Sequence, residues 1–134
     1  MYSKIIIASA LDQGFSARAI RTANLLLSEN GKIITAHVIE PINEVVDSFV
    51  TEEAKSKARS TIKDMMADRL RDEQDIEAVI LEGHPGSEIP AYAEKVQADC
   101  IIVGSHKPGL QDFFLGSTSS RVVRHAKCAV HVLR

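Results

Sequence analysis

Lys4-Ile5-Ile6-Ile7-Ala8 is an unbroken apolar run about one strand long. A strand with one face in water alternates apolar and polar residues. A continuous β-branched run instead suits a strand of a parallel sheet covered on both faces. Cys100-Ile101-Ile102-Val103-Gly104 repeats the signal. Between these runs the period changes to that of a helix. Ile20, Ala23 and Leu27 recur at spacings of three and four within Phe15–Glu29, with Ser16 as N-cap and Asn30-Gly31 as a left-handed stop. Lys32–Val38 reads as the second strand, and Pro41 falls in the loop after it. Glu52–Arg71 is the longest helical pattern, with Ala54, Ala58, Ile62, Met65 and Leu70 near one stripe. Met65 and Met66 read as core filler. Ile76–Leu81 is a third strand, polar at its start as suits a sheet edge. Gly83-His84-Pro85-Gly86 is a turn, and Ser87 can cap a helix running to about Gln97, with Pro90 tolerated in its first turn. Cys100–Gly104 is the fourth strand, Ser105–Leu115 a loop, Ser117–Ala126 a short helix and Ala129–Leu133 the fifth strand.

Strands alternating with helices imply a parallel sheet with helices on both faces and right-handed crossovers. The expected architecture is a single α/β domain over residues 1–134, an open five-stranded, Rossmann-like sheet. The length agrees, since 134 residues is close to the roughly 150 of one domain. No linker, repeat or low-complexity tract divides the chain.

Composition narrows the function. Lys+Arg is 16 and Asp+Glu is 18, and 16 − 18 gives a net charge of −2, which argues against a nucleic-acid binder. No apolar run approaches the length of a bilayer span. The opening residues lack the apolar stretch and small-residue site of a signal peptide, so a cytoplasmic location is expected. Cys100 and Cys128 both sit in apolar runs and read as small buried hydrophobes rather than zinc ligands or nucleophiles.

In open parallel sheets ligands collect outside the carboxyl ends of the strands, where the strand order reverses. The loop after the fourth strand, from Gly104 to Ser120, is the informative one. It opens on Gly104, carries Gly109 and enters the next helix as Gly116-Ser117-Thr118-Ser119-Ser120. Glycine lets a phosphate approach the backbone, and the first turn of a helix offers unpaired N–H groups at its positive dipole end. Ser117, Thr118 and Ser119 could add hydroxyl donors, and His106 and Lys107 charge-assisted contacts. The spacing is not that of a P-loop, and no GxGxxG follows the first strand.

This loop resembles that of the universal stress protein family. Its ATP-binding members carry a glycine, two residues, a glycine, nine residues, then Gly-Ser/Thr. Val103-Gly104-Ser105-His106 opens the pattern here and Leu115-Gly116-Ser117 closes it. Glu82-Gly83-His84-Pro85, Ala98-Asp99-Cys100-Ile101-Ile102-Val103-Gly104 and the stretch from Arg121 to Leu133 also match in family order. The resemblance covers essentially the whole chain and is stronger to the ATP-binding subgroup than to the non-binding one. It implies a sheet ordered 3-2-1-4-5 and an adenine nucleotide across the ends of strands one and four. The phosphates would contact Gly104, His106, Gly116, Ser117 and Thr118. The adenine would lie near Ala8, Ser9 and the backbone of Val38. Two positions depart from the pattern. Lys107 stands where the second glycine belongs, with eleven residues between Gly104 and Gly116 rather than twelve. There Lys107 would either bind phosphate or obstruct it, and Gly109 would supply the flexibility. Ala10 stands where nucleotide binders place an aspartate after strand one, and Asp12 follows two residues later as the substitute.

The expected function is therefore an adenine-nucleotide-binding regulatory protein of the stress response. It would bind ATP, with Mg²⁺ as its companion cation, or else AMP or ADP, and pass the state of the loop to a protein partner. Neither paired acids nor a base placed against a nucleophile stands out, so the chain is expected to be no enzyme, or a slow ATPase at most. The competing reading is a nucleotide-independent dimeric interaction module, supported by Ala10 and Lys107. An ATP-consuming transferase would need a further substrate domain. A phosphoacceptor receiver would need clustered acids after strand one. His37 and His131 read as strand residues and His125 as part of a solvated face with Arg121 and Arg124. In the implied order Ala129–Leu133 is an edge strand without proline or internal charge, which invites pairing with a second copy. The family commonly forms dimers there, so a homodimer is expected.

Overall fold

The computed structural model describes residues 1–8, 13–41, 43–105 and 115–134. Among the described residues five strands and five helices follow one another, α2 and α3 in succession and the rest alternating: β1 (Tyr2–Ala8), α1 (Gln13–Leu26), β2 (Leu27–Ile39), α2 (Glu44–Phe49), α3 (Glu52–Arg69), β3 (Ile76–Glu82), α4 (Pro85–Lys95), β4 (Cys100–Gly104), α5 (Ser117–His125) and β5 (Ala129–Leu133). The strands form one sheet in the order β3-β2-β1-β4-β5, and every pairing is parallel. This is a single-domain α/β fold with the expected strand order. The third and fifth strands lie at its edges.

Alternation along β1 divides the core. Ile5 and Ile7 face one side, where Phe15, Ala19, Ile20 and Ala23 of α1 cover them, joined by Ile33, Cys100 and Ile102. Ile6 faces the other, with Ile34, Ile101 and Val103 from the sheet, Ile89 and Ala93 from α4 and Val122 from α5. The unbroken isoleucine run is thus a consequence of burial on both faces. Register follows from the same side chains: Ile5, Ile6 and Ile7 stand beside Ile33, Ile34 and Thr35 on one flank and beside Cys100, Ile101 and Ile102 on the other.

Asp99 fastens the amino end of β1. Its Oδ2 accepts from Ser3 N (2.9 Å) and Ser3 Oγ (3.0 Å), its Oδ1 from Lys4 N (2.9 Å), and its own N–H donates to Lys4 O (3.0 Å). Burial opposes the charge of this carboxylate, but the donors of Ser3 and Lys4 outweigh it and hold its pKa below the ordinary 3.8.

Several local expectations are corrected. The first helix ends at Leu26 and the second strand starts at Leu27, because the run Leu25-Leu26-Leu27 serves either period. Asn30 does adopt a left-handed backbone (φ 65°), but as an irregularity in β2 where the register with β1 shifts, not as a helix stop. Ser16 lies inside α1 rather than at its cap. Helix α4 is capped by His84, whose Nδ1 accepts from Gly86 N at 3.0 Å, three residues before the expected Ser87. On α3 the core residue is Met66; Met65 is exposed. Helix α2 has no counterpart among the elements the sequence predicts. It buries none of its six residues, so no apolar period marks it; its order comes from the Asn43 cap.

Candidate functional site

Strand order reverses between β1 and β4, since β1 connects outward to β2 on one side and β4 to β5 on the other. The carboxyl ends of β1 and β4 flank that crevice. Ala8 closes β1 and Gly104 closes β4. The β1–β2 ladder ends on the pair Ala8↔Ala36, and β2 runs on beside β3 to Ile39, which carries Val38 past the end of β1. Val38 is buried and packs into the α4–α5 side of the core, so it offers backbone rather than side chain to the crevice.

Helix α5 begins beside the end of β4. Ser105 N donates to Leu133 O at 2.8 Å, and Ser105 O accepts from Gly116 N at 2.6 Å. The Ser119 hydroxyl donates to Gly104 O. These bonds draw the two ends of the connection into a neck shared by β4, β5 and α5. Gly104, Gly116, Ser117 and Thr118 are brought together at it. Among the described residues the buried polar ones are Thr35, Ser105 and Ser119, so two of the three sit in this neck. Phe15 of α1 lies against Gly104, where a Cβ would meet its ring at 3.4 Å. That contact is ordinary van der Waals packing, so sterics inside the protein do not require this glycine.

The amino end of α5 suits an anion. Its N-cap, Gly116, makes no side-chain cap bond, and no acid lies in the first turn, while Arg124 and His125 occupy the last. Helices α2, α3 and α4 each have a capping side chain and at least one acid in the first turn. Those helices carry capping side chains and first-turn acids of their own; among the described residues α5 has neither. Ser119 departs from expectation here. Its hydroxyl turns back to the strand and donates to Gly104 O, so it is not a free donor for the anion. No pattern in the sequence separates the three serine and threonine side chains, because their directions depend on where the helix starts.

Ser9, Asp12, His106, Lys107 and Gly109 lie outside the described residues. Among the described residues no group of three or more His, Cys, Asp or Glu side chains could hold a metal ion. Cys100 is buried in the core, and burial, with smaller contributions from Cys128 and Asp99, pushes its thiol up to about 11. Such a thiol is a packing group, as its sequence context implies.

The family model described as the universal stress protein family matches residues 1–134. The chain belongs to that family. It is 28% identical over 142 aligned residues to universal stress protein G of Shigella flexneri, with all of both chains covered. It is 26% identical over 142 residues to a universal stress protein of Methanothermobacter thermautotrophicus, covering all of this chain and 97% of that one. Among solved structures it superposes on hypothetical protein MJ0577 with a TM-score of 0.82 at 27% identity, covering 99% of this chain and 96% of the other. More distant members share the fold. One was solved in complex with cAMP (TM-score 0.63, 22% identity, 99% and 97% coverage) and one from Archaeoglobus fulgidus in complex with dAMP (TM-score 0.64, 19% identity, 99% and 98% coverage). Among the described residues no helix is long and apolar enough to cross a membrane.

Proposed function

We propose that the protein binds an adenine nucleotide at the carboxyl ends of β1 and β4 and acts through binding rather than turnover. The observation that carries this is the start of α5 fixed at the end of β4, at the reversal of strand order, with no first-turn acid and no side-chain cap among the described residues. The two fold neighbours holding cAMP and dAMP support adenosine monophosphates as the ligand class. Phosphate oxygens accept from the first-turn N–H groups of α5 and from Ser117 and Thr118. Gly104 and Gly116 keep Cβ atoms off the approach. The adenosine end lies across Ala8 and the overhanging backbone of Val38. Ser9, Asp12, His106, Lys107 and Gly109 complete the pocket. Asp12 accepts from the nucleoside, and Lys107 pairs with a phosphate oxygen in place of the family's glycine. ATP is the physiological ligand in this reading, with Mg²⁺ shared among its phosphate oxygens, in a cytoplasmic stress-response protein that dimerises through β5.

The departures at Ala10 and Lys107 favour one other reading, a dimeric interaction module that needs no nucleotide. Thermal unfolding separates the two. Ligand at 100-fold its dissociation constant stabilises the native state by about 2.7 kcal/mol. A rise in Tm with ATP–Mg²⁺ or AMP, absent with GTP, supports nucleotide binding. No shift at millimolar nucleotide supports the module.

A further inference from the structure

The neck at the base of the loop goes beyond residues that would touch a nucleotide. Ser119 is buried to within 5% of full enclosure, and its hydroxyl is spent on Gly104 O. A buried hydroxyl needs such a partner, so the bond satisfies Ser119. It also acts on the site in two ways. A strand-end carbonyl carries partial negative charge, and one left open beside a phosphate would repel it. The hydroxyl proton occupies that oxygen. The same bond ties the first turn of α5 to the last residue of β4, beside the tie from Gly116 N to Ser105 O. The orphan N–H groups of α5 are thereby held at a fixed distance from the strand end. This geometry is set without the second loop glycine that Lys107 replaces.

We propose that Ser119 is a positioning residue for the phosphate group: it holds the start of α5 against β4 and shields the Gly104 carbonyl from the anion. The proposal rests on the nucleotide reading and deepens it. It differs in assigning Ser119 no contact with the ligand. The consequence is selective for phosphate. Adenosine, which has the base and ribose alone, does not use the neck; AMP does.

Calorimetric titration of the full chain with AMP and with adenosine tests this, using wild type, Ser119→Ala and Ser119→Thr. Ser119→Ala is expected to weaken AMP about tenfold, the scale of one hydrogen bond, and to leave adenosine within a factor of about two. Ser119→Thr keeps the hydroxyl and is expected to recover AMP affinity. Should Ser119→Ala fail to unfold cooperatively, Ser119→Cys, with similar volume and a weak donor, is expected to show the same selective loss of AMP. Equal weakening of AMP and adenosine, or no weakening of either, overturns the positioning role while leaving nucleotide binding intact. Wild type that binds neither ligand overturns the nucleotide reading itself.

Discussion

At the scale of single residues, stability rests on a few polar groups whose partners decide their worth. Asp99 is the clearest. Its carboxyl lies below the ordinary 3.8 in the folded chain, so the native state binds its proton less readily than the unfolded one. The stabilisation is complete above the unfolded pKa and is lost as pH falls through the depressed folded value. Asp99→Asn should lose about 1 kcal/mol at neutral pH, modest because the group is part-exposed. In denaturant unfolding it should also lose part of the acid sensitivity of wild type below about pH 4. Equal slopes for both proteins in that range would contradict the assignment. Thr35 is the opposite case. Its hydroxyl is buried on a central strand without a hydrogen-bond partner among the described residues. Thr35→Val should therefore be neutral or stabilising by up to about 1 kcal/mol, read as the urea midpoint. These residues also mark what sequence can convey. Gly104 and Gly116-Ser117 point to the site through their spacing and their place after the fourth strand, since glycine or a hydroxyl at a helix start is by itself a common cap. Ser119 reads no differently from its neighbours, and only the strand end it reaches tells it apart.

Among the elements, those with a strong period were legible and those without were not. β1 and β4 are continuous apolar runs because both faces are covered, and α5 is framed by glycine and a following apolar strand. Helix α2 escaped because it buries nothing, so physics left no periodic mark to read. Met65 and Met66 illustrate the finer limit: adjacent positions on a helix differ by about 100°, and an interrupted stripe admits either. Contacts between helices add constraints that a single element cannot show. A Cβ on Gly86 would stand 2.7 Å from Arg121 Cβ and 2.8 Å from its Cδ. The first atom belongs to the rigid base of that side chain, so α4 and α5 would have to separate. An alanine in a helix normally gains about 1 kcal/mol over glycine, but Gly86→Ala should instead cost about 1–3 kcal/mol through overpacking. A raised Tm for this variant would show that the two helices are not held together there.

For the whole molecule, strand order and topology place the chemistry. The reversal between β1 and β4 collects Ala8, Gly104, Gly116, Ser117 and Thr118 at one end of the sheet, though more than a hundred residues separate the first from the last. Topology also leaves β5 at an edge, tied to the site because Leu133 O accepts from Ser105 N at 2.8 Å. Pairing of two β5 edges should give a solution mass of two chains by sedimentation equilibrium at micromolar concentration; a mass of one chain would contradict dimerisation. Family membership and sheet order were legible from motif order along the chain. The proposed nucleotide seat was legible only in part, because it would be built from backbone N–H groups and carbonyls whose directions no residue name records.

The most direct test is a map of backbone amide shifts in ¹⁵N-labelled protein titrated with AMP. Nucleotide binding at this end of the sheet should give saturable shifts concentrated at Ala8, Val38, Gly104, Ser105 and Gly116–Ser119. Shifts confined to other surfaces, or none at millimolar AMP, would contradict it.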